Sequence, residues 1–294
     1  MVVGVVVVVD AEAAAAEGAV DNPIDHAPPP QVGIGFRPPL GPWILSNPSE
    51  VEFVEVTAEH FFEEGDDTLQ RLAALYPISV HGLGLSLGTP GPLCTTTLDA
   101  FSRVASLCKA AWVSEHIAFT QSAEVDLGHL NPVPLTRDSL NVFINHAMEV
   151  QEHCGKPLIL ENITTYLRVP GDIPETDFLN ELCHQAGVGL LLDVTNLFIN
   201  SKNHNFDPIH WLRRLDPAFI RQMHIVGYSQ ANGQYHDGHC EMVQDDLLDL
   251  ASFVVSYSNV ESIILERDAN FPKTELIAKE LQLLEGICVT ARSH

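Results

Sequence analysis

The run Leu158-Ile159-Leu160-Glu161, the helix-forming segment Glu175–Ala186 and the second run Val188-Gly189-Leu190-Leu191-Leu192-Asp193 read as one strand–helix–strand unit. Both runs are nearly continuous aliphatic sequence, the pattern of parallel strands buried on both faces. Outward from this unit the same texture recurs. Further apolar runs lie at Val32–Phe36, Val51–Val56, Ile78–Val80, Trp112–Ser114, Ile220–Val226 and Ile263–Leu265. Helical spacing lies between them at Thr68–Leu75, Leu98–Ala111, Asp138–His153, Pro208–Leu215, Asp245–Ser256 and Thr274–Gly286. The first connection, around Leu40–Ser49, is weak and reads as a helical turn. Eight such units in about 260 residues are the size of a (β/α)8 barrel. The expected fold is α/β, a single TIM barrel over residues 31–290, with a doubly wound open sheet as the alternative.

Residues 1–30 differ in texture. Valines, then alanines, then Ala27-Pro28-Pro29-Pro30 read as a disordered low-complexity tail. The apolar start lacks a basic flank, so it is not read as a signal peptide. No apolar run in the chain reaches the roughly 18 residues that span a bilayer. The charge balance of 15 Lys+Arg against 39 Asp+Glu, net −24, opposes contact with phosphate backbones and anionic membranes. Six cysteines without a CxxC pair favour a reduced, cytoplasmic protein.

The functional signal is positional. Most of the strands end in a potential metal ligand. Glu55 lies near the end of the second, followed by Glu59-His60. His81 ends the third, Glu115-His116 the fourth, Glu161-Asn162 the fifth, and Asp193 the sixth with Asn196 beyond it. His224 lies on the seventh, His236-Asp237-Gly238-His239 follow, and Glu266 ends the eighth with Asp268 two residues on. In a (β/α)8 barrel these ends converge on one mouth, where active sites sit. Carboxylates stacked there repel one another and demand a cationic partner. Mixed His/Asp/Glu/Asn ligands suit iron, manganese or zinc, and the absence of cysteine argues against a structural zinc site. Asp237 and His239 are alternate residues of an extended segment, so their side chains share a face.

Other motifs carry less. Gly84-Leu85-Ser86-Leu87-Gly88 has the form of a nucleophile elbow, but Thr89-Pro90-Gly91-Pro92 cannot open the helix that an elbow needs. The stretch reads better as a glycine-rich loop that lets backbone approach a ligand, with Gly82, Gly84, Ser86 and Gly88 as its substrate-facing residues. Gly33-x-Gly35 lacks the third glycine of a dinucleotide fingerprint.

Taken together, Ser79-Val80-His81-Gly82-Leu83-Gly84, Ser114-Glu115-His116, Leu160-Glu161-Asn162, Leu192-Asp193 with Asn196, Met223-His224, Asp237-x-His239 and Leu265-Glu266-x-Asp268 resemble the multinuclear non-haem iron-dependent oxidases typified by the methanobactin biosynthesis oxidase. The resemblance covers roughly residues 32–285. It implies a TIM barrel holding two or three irons in mixed Fe(II)/Fe(III) states. It also implies O2-dependent oxidation of cysteine in a ribosomally synthesised precursor peptide, often with a small partner protein that grips the peptide's leader. The metal ligands it implies are His81, Glu115, Glu161, Asp193, His224, Asp237, His239 and Glu266. His60, Asn162, Asn196 and His116 stand behind them as possible ligands or supporting residues. The chain departs from the family pattern at Glu59-His60, where Glu-Asn is usual, and at Arg267, where an aromatic is usual and its loss is expected to alter the substrate wall. A divalent-metal sugar isomerase or epimerase, a metal-dependent phosphodiesterase and a non-catalytic metal- or peptide-binding protein are the alternatives. The first needs a lysine or histidine acid/base at the mouth, and no strand ends in lysine; the second is disfavoured by the −24 charge.

Overall fold

The computed structural model of the chain describes residues 28–63, 67–122 and 125–291. The expected tail therefore falls outside the described residues up to Ala27, as do Glu64 and Asp66 of the acidic run that begins at Glu63.

Among the described residues twelve strands form, in chain order: β1 (Gln31–Phe36), β2 (Phe53–Thr57), β3 (Ile78–His81), β4 (Val113–His116), β5 (Phe119–Ser122), β6 (Val125–Asn131), β7 (Leu158–Glu161), β8 (Gly189–Asp193), β9 (Ile220–Ile225), β10 (Gly227–Ala231), β11 (Gln234–Glu241) and β12 (Ser262–Leu265). Eight of them close a parallel barrel in the order β1-β2-β3-β4-β7-β8-β9-β12. These are the eight runs expected from the sequence. The helices are α1 (Gly41–Ser46), α2 (Thr68–Leu75), α3 (Thr95–Leu107), α4 (Arg137–Cys154), α5 (Glu175–Ala186), α6 (Val194–His204), α7 (Pro208–Leu212), α8 (Asp245–Tyr257) and α9 (Thr274–Ala291). Among the described residues no helix is long and apolar enough to cross a membrane.

Inside the barrel the floor is apolar. Phe53, Trp112, Ile159, Leu191 and Ile264 pack as their own cluster, separate from the core beneath the helices, and the Phe53 and Trp112 rings stack with centroids 5.2 Å apart. Gly33 makes room for this floor, since a Cβ there would stand 2.2 Å from the Phe53 carbonyl oxygen. Above the floor lies a polar layer. Trp112 Nε1 donates to Gln222 Oε1 at 2.7 Å, Gln222 Nε2 donates to Glu55, and Ser79 Oγ donates to Glu55 Oε2 at 3.2 Å.

A helix and two hairpins were not anticipated from the sequence. Helix α6 is buried at every position from Val194 to Ser201, so it shows no amphipathic stripe to mark it. The other addition is a pair of antiparallel hairpins, β5–β6 and β10–β11, which follow β4 and β9 at the mouth. The turn of the second is Asn232-Gly233, with φ of 52° and 78°, which is the turn chemistry of a tight hairpin.

Candidate metal centre

Every second side chain of a barrel strand points inward. This alternation brings His81, His116, Glu161, Asp193, His224 and Glu266 together at the mouth, all of them buried. Their ligand atoms fall into three groups, the atoms of each lying within 4.8 Å of one another: His81, His116 and Glu161; then Glu161, Asp193, His224 and Glu266; then His239, Glu266 and Asp268. Glu161 belongs to the first two and Glu266 to the last two. Glu161 Oε2 stands 3.4 Å from His81 Nε2 and 3.3 Å from His116 Nε2, while its Oε1 stands 3.5 Å from His224 Nδ1. Glu266 Oε2 lies 3.0 Å from His224 Nδ1 and 3.6 Å from His239 Nδ1.

Local structure fixes each group. Asp193 ends β8 and caps α6, its Oδ1 accepting from the Asn196 amide at 2.6 Å. Its other oxygen is buried without a hydrogen-bond partner. Asn162 clamps the same residue through its backbone, donating to Asp193 O and accepting from Asp193 N, both at 2.9 Å. Arg37, just past β1, donates to Asp268 Oδ1 at 2.5 Å and lies 3.2 Å from Glu266 Oε1. One oxygen of each carboxylate is thereby occupied, and Glu266 Oε2 and Asp268 Oδ2 are left facing His239 Nδ1.

The electrostatics show what this cluster lacks. Burial opposes charge on His224, yet Glu55, Glu266 and Glu161 hold its pKa well above the usual imidazole value. Burial opposes charge on His239 as well, and Glu266, Asp237 and Asp268 push it up to about 12. His116 is likewise raised against its burial, to about 9, by Glu161 and Glu115. Burial, Glu161 and Asp237 drive the Asp193 carboxyl well above its usual range. Burial favours a protonated Glu266, but His239, His224 and Arg37 hold it well below the carboxylate range. Protons thus do the neutralising that metal ions would do. His116 Nδ1, Glu161 Oε2, Asp193 Oδ2, His224 Nδ1 and Asp237 Oδ1 are all buried without a hydrogen-bond partner. Orphaned buried lone pairs beside neutralising protons are the signature of a place that metal fits.

A pH dependence follows from these shifts. His116 and His239 carry protons at neutral pH without metal, and a metal displaces the proton from each imidazole it binds. Affinity for a divalent ion should therefore fall as pH falls, by about tenfold per unit for each proton displaced. Calorimetry at pH 7 in buffers of different ionisation enthalpy is expected to show proton release; no release would contradict the assignment.

Of the eight ligands the resemblance implied, His81, Glu161, Asp193, His224, His239 and Glu266 lie in the three groups. Asp237 Oδ2 lies 2.9 Å from His239 Nε2, and Asp237 lines the same cavity. Glu115 is the exception. It alternates with Ser114 and His116, and it turns away to accept from Leu85 N at 2.8 Å and from His116 N. His116, expected in the second rank, takes the inward place. Asn196 lines the cavity. His60 is exposed at the rim and belongs to none of the groups.

Arg37 was not proposed for the site, and Asp268 and Glu55, named as strand-end candidates, were left out of the implied ligand set. Asp268 shares a face with Glu266, two residues away. Arg37 lies one residue past its strand. Glu55 sits one layer below the mouth, where its Oε1 lies 2.8 Å from His224 Nε2. That contact turns His224 Nδ1 toward Glu161 and Glu266, the arrangement in which a carboxylate orients a metal-binding histidine. Glu55→Gln is expected to weaken metal binding about 10- to 100-fold, measured by chelator competition, with the fold intact.

The glycine-rich loop needs correction. Gly82 and Gly88 face protein rather than a ligand: a Cβ on Gly82 would meet Phe101 at 2.9 Å, and one on Gly88 would meet Val133 at 2.7 Å. Gly84 lies against Glu59, whose Oε1 accepts from Leu83 N at 2.8 Å and Gly84 N at 2.9 Å. Ser86 Oγ accepts from Thr120 N and Gln121 N at 2.8 and 3.1 Å. His146 of α4 holds the far side, with Nδ1 2.8 Å from Leu87 O and Nε2 2.7 Å from Gly91 O. The loop is a braced wall, and Leu83 is its residue on the cavity. Arg267 also lies elsewhere than expected. It points outward from its strand, donating to Cys240 O and Glu241 O and pairing with Glu280 of α9 at 3.2 Å. It forms no part of the substrate wall.

Residues 31–288 match the family described as RiPP precursor modification enzyme MbnB/TglH/ChrH. The chain belongs to this family. Relatives include a UPF0276 protein of Chromobacterium violaceum, 33% identical with 87% of this chain and 94% of the relative covered. Another is a UPF0276 protein of Psychromonas ingrahamii, 27% identical with 88% and 96% covered. Among solved structures, the endonuclease IV of Thermus thermophilus shares the fold at 14% identity and TM-score 0.59, with 89% of this chain and all of that chain covered. A D-psicose 3-epimerase shares it at 12% identity and TM-score 0.55, with 90% and 96% covered. These likenesses are of fold. Family membership and the donor set together make the mouth of this RiPP-modification enzyme a candidate metal centre.

Proposed function

We propose that the chain is a multinuclear, iron-dependent oxidase that uses O2 to modify cysteine residues of a ribosomally synthesised precursor peptide. The observation that carries this reading is the sharing of Glu161 and Glu266 among three groups of potential ligands. Shared carboxylates suit a row of neighbouring ions better than one isolated ion. Neutral imidazole and carboxylate donors without thiolate suit iron, and the family resemblance selects iron among the metals that fit.

Bound iron would supply O2 activation and acidify a substrate thiol. The chain supplies the rest. His81, His116 and Glu161 would hold the first ion, Glu161, Asp193, His224 and Glu266 the second, and His239, Glu266 and Asp268 the third, with Asp237 beside it. Arg37 offsets part of the carboxylate charge. Leu83, Leu130, Ile163 and Phe271 line a cavity of about 540 Å³ over the centre and limit water there.

The test is metal content per chain after purification without chelator, with Mössbauer spectra of an iron-57 sample. Two or three irons of mixed oxidation state, with O2 uptake on addition of a cysteine peptide, are expected. Stoichiometric zinc or manganese that anaerobic iron loading fails to replace would overturn the iron assignment.

A further inference from the structure

We infer that a groove behind the β7–α5 loop is a subsite for the substrate peptide, receiving a large apolar side chain that flanks the reacting cysteine. The inference rests on the peptide-oxidase reading above. The groove encloses about 530 Å³, nearly the volume of the mouth cavity, and Ile163 lines both. Its walls are mainly apolar, with Leu135, Phe178, Phe206 and Trp211 among them.

The loop that separates the two cavities, residues 162–174, holds no helix or strand. It is long for a βα connection, and such loops usually serve a function. Both of its ends are fastened. Along one face of α6, Asn196, Asn200 and His204 follow at intervals of four. Asn196 Nδ2 donates to Asn162 O at 3.1 Å. Asn200 donates to Ile163 O and accepts from Thr165 N, both at 2.8 Å. His204 Nε2 lies 2.7 Å from Thr165 O. At the far end Asp172 N and Ile173 N donate to Leu135 O at 3.1 and 3.0 Å.

Between these anchors the loop presents apolar side chains to solvent, with Tyr166 49%, Leu167 76% and Val169 37% exposed. A braced loop that exposes three large hydrophobic residues within four positions is a preformed apolar lip. The lip continues toward the mouth, because the Tyr166 ring packs against His236 at 5.7 Å and the next residue is Asp237 of the cavity. An extended peptide with its cysteine in the mouth would cross this lip and place a neighbouring side chain in the groove. The concavity, the shared wall and the continuous lip fit a segment of the substrate better than a broad partner surface.

The test uses metal-loaded full-length protein under anaerobic conditions. Displayed linear peptides with one fixed cysteine are selected in parallel with a matched library carrying alanine there. Peptides enriched only with cysteine are expected to share a large apolar residue at a constant distance from it. The double variant Leu167→Asp/Val169→Asp should bind them about tenfold or more weakly, with unchanged metal content. Cysteine-dependent peptides without a constant apolar position, or equal binding by the variant, would overturn the groove while leaving the oxidase reading in place. Equal enrichment from both libraries would remove the peptide reading and the groove with it.

Discussion

Glu161→Gln is expected to strip metal from two groups at once. Its two oxygens face different partners, Oε2 toward His81 and His116 and Oε1 toward His224. Glutamine keeps the size but offers one neutral oxygen, so it would serve only one of the two ligand groups that Glu161 joins. We expect at least half of the bound metal to be lost and turnover to fall by two orders of magnitude or more, a range reached when a metal's primary ligand is lost. Circular dichroism should be unchanged, because no helix or strand hydrogen bond depends on this side chain. Glu115→Gln is the matched control. Glu115 is equally buried, but it accepts from Leu85 N and stands behind His116, its Oε2 3.4 Å from His116 Nδ1, so that variant should lose no more metal affinity than Glu55→Gln. Equal metal loss in both variants would mean that the alternation argument has the wrong residue facing inward.

The largest effect on stability is expected away from the centre. Arg267 is 1% exposed, its guanidinium pairs with Glu280, and it satisfies the carbonyls of Cys240 and Glu241. Glu280 is 2% exposed, and its Oε1 accepts from Val243 N at 2.9 Å. Arg267→Met leaves that carboxylate buried without its charge partner, a loss of about 3–5 kcal/mol. For a barrel of this size, Tm should fall on the order of 10 °C. Adding Glu280→Leu removes the stranded charge and should recover much of the loss. A Tm within about 2 °C of the parent in the single variant would show that solvent reaches the pair. Metal affinity should not change, since the side chain lies outside the barrel.

The barrel was legible because its strands are short aliphatic runs with polar ends, a pattern that survives without tertiary information. Ligands at strand ends were legible for the same reason. What the sequence hid was facing. Glu115 and His116 are adjacent at the end of one strand, and only barrel closure shows that His116 turns inward. Glu55 was visible as a residue near a strand end, but its place one layer down depends on how that strand is staggered against its neighbours. Helix α6 was hidden by being buried on all sides. The glycines of the loop after β3 read as openings for a ligand, but Gly82 is in close contact with Phe101 of α3, and Gly88 with Ala118 and Val133, which flank the β5–β6 hairpin. The β10–β11 hairpin was the one missed element with a local signal, the pair Asn232-Gly233.

Helix α6 ties together two places that the sequence keeps apart. It starts beside Asp193 in the centre and ends at His204 under the 162–174 loop, a span of about 16 Å at the usual helical rise. Along its axis such a helix behaves as a stiff strut. Its first turn is capped by the Asp193 carboxylate, and its side chains at intervals of four hold the start of the loop. The Asp193 carboxylate and the anchors of the 162–174 loop thus belong to one rigid element.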